Sequence, residues 1–197
     1  MTINSGKHNF FDDFFDLINN KAKNVNSEKL INSAKLINAA ALNSGKVIVI
    51  GNGGSAAIAS HVSIDLTKAA NIRSVNFNEA SLLTCFSNDY GYENWVEKAL
   101  DFYADKDDIV ILISSSGQSQ NIINGAKKAR EMRLPLITLT GFLENNPLNG
   151  LGDINFWLDS STYNVVESVH QMWLLSVVDY LIAAVSYTHL RAHETVL

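Results

Sequence analysis

The sequence predicts a doubly wound α/β fold, a parallel sheet of five strands between two helical layers (three-layer αβα), preceded by two further helices. Three observations carry this. Short, nearly all-apolar runs such as Val47–Ile50 and Ile109–Ile113 read as strands buried on both faces. From Lys46 onward strand and helix patterns alternate, which right-handed crossovers turn into a parallel sheet. Two turns rich in Gly or Ser follow the first and third strands, where ligands of such sheets bind.

Phe10, Phe11, Phe14, Phe15, Leu17 and Ile18 recur at helical spacing, and Leu30, Ala34, Ile37 and Ala41 do so again after a Ser27 N-cap. Their apolar stripes are wider than a small sheet needs, which points to packing against another subunit as well as to core. After the first strand a helix is expected over Ser55–Ala69, then a strand at Ser74–Phe77. Helices over Glu79–Ser87 and Tyr92–Tyr103 follow, separated by Asn88–Gly91. The strand Ile109–Ile113 leads to a helix over Ser119–Arg133, strands at Leu136–Thr140 and Ile154–Leu158, and a long helix over Val165–Ala184. One domain, residues 1–185, accounts for these elements. Residues 186–197, with His189 and His193, neither continue the apolar helix nor start a new element and resemble a non-native read-through tail.

At 197 residues and 47% hydrophobic content the chain can bury one full core. Its net charge of −5 and lack of any Lys/Arg cluster argue against direct nucleic-acid binding. Cys85 has no internal disulfide partner and sits among Leu82, Leu83 and Phe86 as a packed thiol on a helix. With no secretory start and no run of membrane-spanning length, a cytoplasmic protein with no membrane partner is expected. Trp157 and Trp173 read as core or interface residues, and Asp105–Asp108 as a solvated turn.

In Ser114-Ser115-Ser116-Gly117-Gln118-Ser119 a buried strand turns into a helix, so backbone N–H groups, the helix dipole and the hydroxyls of Ser114, Ser115, Ser116 and Ser119 can converge on one phosphate. Gly51-Asn52-Gly53-Gly54-Ser55-Ala56 also opens a helix and satisfies a relaxed dinucleotide pattern, G-x-G-x-x-A. The ribose-binding acid that should end the second strand is missing, since Val75-Asn76-Phe77-Asn78 stands there, and no nucleotide cofactor is expected. The glycines, Gly53 among them, instead allow close backbone approach to a sugar that Asn52 and Ser55 contact.

Together with Asn88-Asp89-Tyr90-Gly91-Tyr92, these two loops resemble the sugar isomerase (SIS) domain family, in its phosphoheptose isomerase branch, over roughly Phe10–Ile182. The resemblance implies a flavodoxin-like sheet, a homo-oligomer (dimer or tetramer) with sites at subunit interfaces, and aldose-ketose isomerisation of a sugar phosphate such as sedoheptulose 7-phosphate. It implies phosphate contacts at Ser114, Ser115, Ser116 and Ser119, sugar contacts at Asn52, Ser55 and Asp89, and a metal-ligating histidine at His61. Asp65 stands where the family has a catalytic glutamate. In the last helix Glu167 replaces a metal-binding glutamine and Leu175 a histidine that binds metal and moves a proton; leucine can do neither.

His61 and Asp65 are i,i+4 on one helix and Glu167 and His170 are i,i+3 on another, so all four are expected to converge. Two imidazoles and two carboxylates suit zinc or another divalent metal, with His61, Asp65 and Glu167 as ligands and Asp65 and His170 as the acid-base pair. The same residues also suit a plainer reading, in which His61 bonds a carbonyl, Asp65 is a solvated charge and Glu167 favours a helix start. Leu175 supports an alternative function, a non-catalytic phosphosugar-binding or replication-initiator-associating adaptor.

Overall fold

The computed structural model describes residues 9–194, with side chains over 9–184. In chain order the elements are α1 (Phe10–Lys23), α2 (Ser27–Leu42), β1 (Val47–Gly51), α3 (Gly54–Lys68), β2 (Ser74–Val75), α4 (Ala80–Tyr90), α5 (Trp95–Tyr103), β3 (Ile109–Ser114), α6 (Gln120–Glu131), β4 (Leu136–Thr140), β5 (Ile154–Trp157) and α7 (Tyr163–Glu194). All strand pairs are parallel, in the order β2-β1-β3-β4-β5. This is the flavodoxin-like order, whose direction of winding reverses between β1 and β3.

The apolar strands are explained by the two cores. Val47 and Val49 of β1, and Ile109, Ile111 and Ile113 of β3, face a core shared with α2, α3 and α7. Ile48, Ile50, Val110 and Leu112 face the opposite core, closed by α5 and α6. Strands buried on both faces gain from apolar side chains at every position, which removes the alternation of a half-exposed sheet. Under the sheet, Lys46 Nζ bonds the nearly fully buried Asp108 at 2.6 Å and Asp105 at 2.8 Å. Burial works against the lysine charge, yet the bonds from both carboxylates hold its pKa above the ordinary value. The Asp105–Asp108 segment is therefore a buried ionic clamp at Asp108 rather than a wholly solvated turn.

Several sequence expectations are corrected locally. β2 stops at Val75 because Phe77 takes a left-handed backbone, φ 57°, which no strand continues through. Asn26, whose side chain accepts from the Glu28 N–H at 2.9 Å, caps α2 in place of Ser27. Cys85 is exposed on α4, a helix with no fully buried residue, and partial desolvation together with the nearby Asp89 carboxylate raises its thiol pKa. α7 runs 32 residues to Glu194, past the expected end at Ala184, since neither Gly nor Pro interrupts it. The side chains of His189 and His193 lie outside those described.

α1 leans on α7 with Phe14, Ile18 and Ala22 partly buried, while Phe10, Phe11, Phe15 and Leu17 remain exposed. Trp173 is buried and donates from Nε1 to the Ala22 carbonyl at 2.9 Å; Trp157 is partly buried and donates to that of Phe142 at 3.3 Å. At the outer edge of β5, Lys29 Nζ donates to the Asn155 carbonyl at 2.8 Å, and Lys21 Nζ donates to the Asp159 carbonyl. Among the described residues no helix is long and apolar enough to cross a membrane.

Candidate active site

The loops after β1 and β3 lie side by side at the carboxyl edge of the sheet and wall a cavity of about 270 Å³. Its lining includes Asn52, Gly53, Gly54 and Ser55 from one loop, Ser114, Ser115, Ser116 and Ser119 from the other, and Tyr163 and Glu167 from α7. Both helices that begin here, α3 at Gly53 and α6 at Ser119, lack a side-chain hydrogen bond at the N-cap. The first-turn N–H groups of a helix have no partner within it, so two uncapped starts beside one cavity supply donors and positive dipole ends for an anion. No Lys or Arg stands among the lining residues.

The serine loop is shaped by its backbone. Gly117 has φ 66°, and a Cβ there would lie 1.9 Å from Asn146 Oδ1, so only glycine fits. Asn146 is buried and holds the turn that backs the loop, donating to the Leu143 carbonyl at 2.7 Å and accepting from the Asn149 N–H at 2.9 Å. Ser119 Oγ lies 3.3 Å from Ser114 Oγ, the Gln118 N–H donates to Ser116 Oγ at 3.2 Å, and Ser115 Oγ is buried with no partner in the chain. The two loops are tied by a reciprocal amide pair, Asn52 and Asn121 each donating to the other at 2.9 Å, and Tyr92 Oη donates to Asn52 Oδ1 at 3.2 Å.

Glu167 closes the cavity from above. A Cβ on Gly54 would stand 2.2 Å from its Oε2, so the glycine makes room for the carboxylate at the start of α3. The same carboxylate borders a second cavity of about 420 Å³ lined by His61, Asn164, Ser168 and Gln171. His61 is exposed, and its ring is held from both sides, Nε2 lying 3.2 Å from Asp65 Oδ2 and Nδ1 3.0 Å from Gln171 Nε2. Each ring nitrogen thus has a polar neighbour, a carboxylate on one side and a carboxamide on the other.

Of the residues expected from sequence, the phosphate-loop serines, Asn52, Gly53, Ser55 and Glu167 share one cavity, with His61 in the adjoining one. Asp65 is brought to His61. Asp89 lies off both cavities, exposed at the end of α4, where Asn88 Nδ2 donates to its Oδ1 at 2.9 Å. His170 does not join the site. It points into the core with no exposure, its Nε2–H donates to the Thr140 carbonyl at 3.1 Å, and its Nδ1 has no partner. One residue separates a buried histidine from a polar wall because consecutive helical positions are turned about 100° apart. Burial pushes its pKa down to about 4, only partly offset by the Thr140 bond. Gln171 is the functional residue that sequence reasoning passed over, although it lies i+4 from Glu167, on the same helix face.

The SIS domain family matches residues 9–141, a span that ends before Glu167 and all of α7. A phosphoheptose isomerase from Aliarcobacter butzleri is 35% identical over 134 residues, covering 65% of this chain and 70% of that relative. A probable phosphoheptose isomerase from Thermoplasma acidophilum is 34% identical over 154 residues, covering 75% and 84% respectively. Among solved structures, a phosphoheptose isomerase from Neisseria gonorrhoeae superposes with a TM-score of 0.80 at 25% identity, over 88% of this chain and 95% of that one. With the sheet order, the paired loops and these similarities in agreement, the chain belongs to the SIS domain family, in its phosphoheptose isomerase branch.

Proposed function

We propose that the protein is a sugar-phosphate isomerase that interconverts an aldose phosphate and the corresponding ketose phosphate, with sedoheptulose 7-phosphate as the ketose. The observation that carries this reading is the single cavity lined by two uncapped helix starts, four loop serines and a carboxylate, Glu167. The phosphate sits on the Ser114–Ser119 loop, which binds it through hydrogen bonds and helix dipoles without a cation. Glu167 then faces the carbon end of the sugar.

The reaction needs one proton moved between adjacent carbons and one between their oxygens. Glu167 takes the proton on C2, the C2 electron pair forms a C1–C2 double bond, and the carbonyl electrons move onto O1. O1 gains the proton that leaves the O2 hydroxyl, and Glu167 returns its own proton to C1 as the C2 carbonyl forms. Carboxylate and atom count are restored. The Glu167 side chain is half-buried beside the start of α3, and no Lys or Arg lines the cavity to pair with it.

The exposed phenylalanine face of α1 supports a homo-oligomer, in which Phe10, Phe11 and Phe15 bury against another copy. The chemistry is tested by incubating the purified protein with sedoheptulose 7-phosphate and following the anomeric protons by NMR. Wild type is expected to turn over, and Glu167→Gln to lose about 10²- to 10⁴-fold, the usual share of a general base. Tight phosphosugar binding without turnover would instead favour the non-catalytic reading that Leu175 and the buried His170 support.

A further inference from the structure

The family resemblance implies a divalent ion held by His61, Asp65, Glu167 and the residue at position 175, and the donors present do not fit one. Leu175 offers no lone pair and packs against the core beneath α7. A ligating imidazole needs a bare ring nitrogen, with the other nitrogen donating to a supporting acceptor. In His61 both ring nitrogens already face a side chain, Nε2 standing 3.2 Å from Asp65 Oδ2 and Nδ1 3.0 Å from Gln171 Nε2. Among the described residues no three His, Cys, Asp or Glu side chains form a group able to hold a metal ion.

The first turn of α3, which has no side-chain cap, lines the same cavity as Glu167. A Cβ on Gly54 would overlap the Glu167 carboxylate, so this turn passes close beside it. Donors fixed by a helix and aimed at an oxygen where charge develops stabilise an enediolate without reorganising. We propose that this chain catalyses its isomerisation with no resident metal ion, the substrate oxygens being polarised by the backbone N–H groups that open α3 while Glu167 carries the proton. This rests on the isomerase reading above. Gln171 and Asp65 are then positioning residues that hold the His61 ring at the edge of the second cavity.

The test uses the full chain, purified without added metal. Elemental analysis should find zinc, manganese, nickel and cobalt far below one ion per chain, and competition with a chromophoric chelator should find no sub-micromolar zinc site. EDTA should leave turnover unchanged. Leu175→His, which returns a donor to α7, should tighten zinc binding about tenfold or more, the scale on which a coordinating shell changes affinity. One zinc per wild-type chain held at sub-micromolar affinity, or turnover abolished by EDTA and restored by zinc, would overturn the proposal. A folded Leu175→His protein with unchanged zinc affinity would overturn the assignment of Leu175 as the missing donor. The metal titration reads out even in a protein with no turnover, so failure of the isomerase reading and failure of this one give different results.

Discussion

Burial of His170 makes the stability of this fold fall as pH drops through a range where its folded-state carboxylates are still ionised. The folded pKa is about 4 against an ordinary 6.5, because the charged imidazolium would have to sit in the core with one nitrogen unpartnered. A depressed histidine contributes its full stability above the unfolded pKa and loses it as pH falls from there toward the folded one. Between pH 7 and pH 5 the unfolded chain takes up about three-quarters of a proton at this position and the folded chain takes up little. The linkage integral over that interval comes to about 2 kcal/mol, out of about 3 kcal/mol for the whole shift. With a urea m-value of about 2 kcal/mol/M, the unfolding midpoint should fall by about 1 M. The assay is urea denaturation followed by circular dichroism at half-unit pH steps, on wild type and on His170→Asn, which keeps a donor for Thr140 but cannot titrate. The variant starts less stable at pH 7 yet should show a flatter slope by that same amount. Equal slopes in the two proteins would refute the reasoning and place His170 in a solvated setting.

Replacing Ser116 and Ser119 together by Ala should weaken phosphosugar binding by about 2–4 kcal/mol in a calorimetric titration while the fold is retained, since each charge-assisted bond is worth about 1.5–3 kcal/mol. Light scattering at micromolar concentration should report a dimer or tetramer, and Phe10→Ser with Phe15→Ser should shift it toward monomer; a wild-type monomer would contradict the reading of the exposed α1 face.

The strands and the two loops were legible because their signals are local. A run such as Ile109–Ile113 has one cheap conformation, and a serine cluster directly after it has few other uses. Strand ends were less so: Phe77 looks like a strand residue, and only its left-handed backbone, beside the turn in which Asn76 accepts from the Asn78 N–H at 2.9 Å, stops β2. The burial of His170 is hidden in the sequence for a related reason. Spacing gives its angle relative to Glu167 on α7, but which side of that helix meets β4 is settled by the whole core, through Val166, Val169 and Trp173. The apolar neighbours of Cys85 suggest a packed thiol, yet Leu82, Leu83 and Phe86 turn toward the core and leave it outward. The clamp at Asp108 joins residues 62 positions apart and left no local trace. The match to the family model ends at residue 141, before Glu167, Gln171 and Leu175.

The lysines at the rim of β5 also limit how the protein can associate. A parallel sheet ends in two rows of unpaired peptide groups, which invite another chain to add a strand. One margin here is only the two residues of β2, too short to template anything. At the other, Lys29 and Lys21 already occupy the carbonyls of Asn155 and Asp159. An incoming strand would have to displace two ammonium groups and leave them without those acceptors. Growth of the sheet into a filament through its edges is thereby disfavoured.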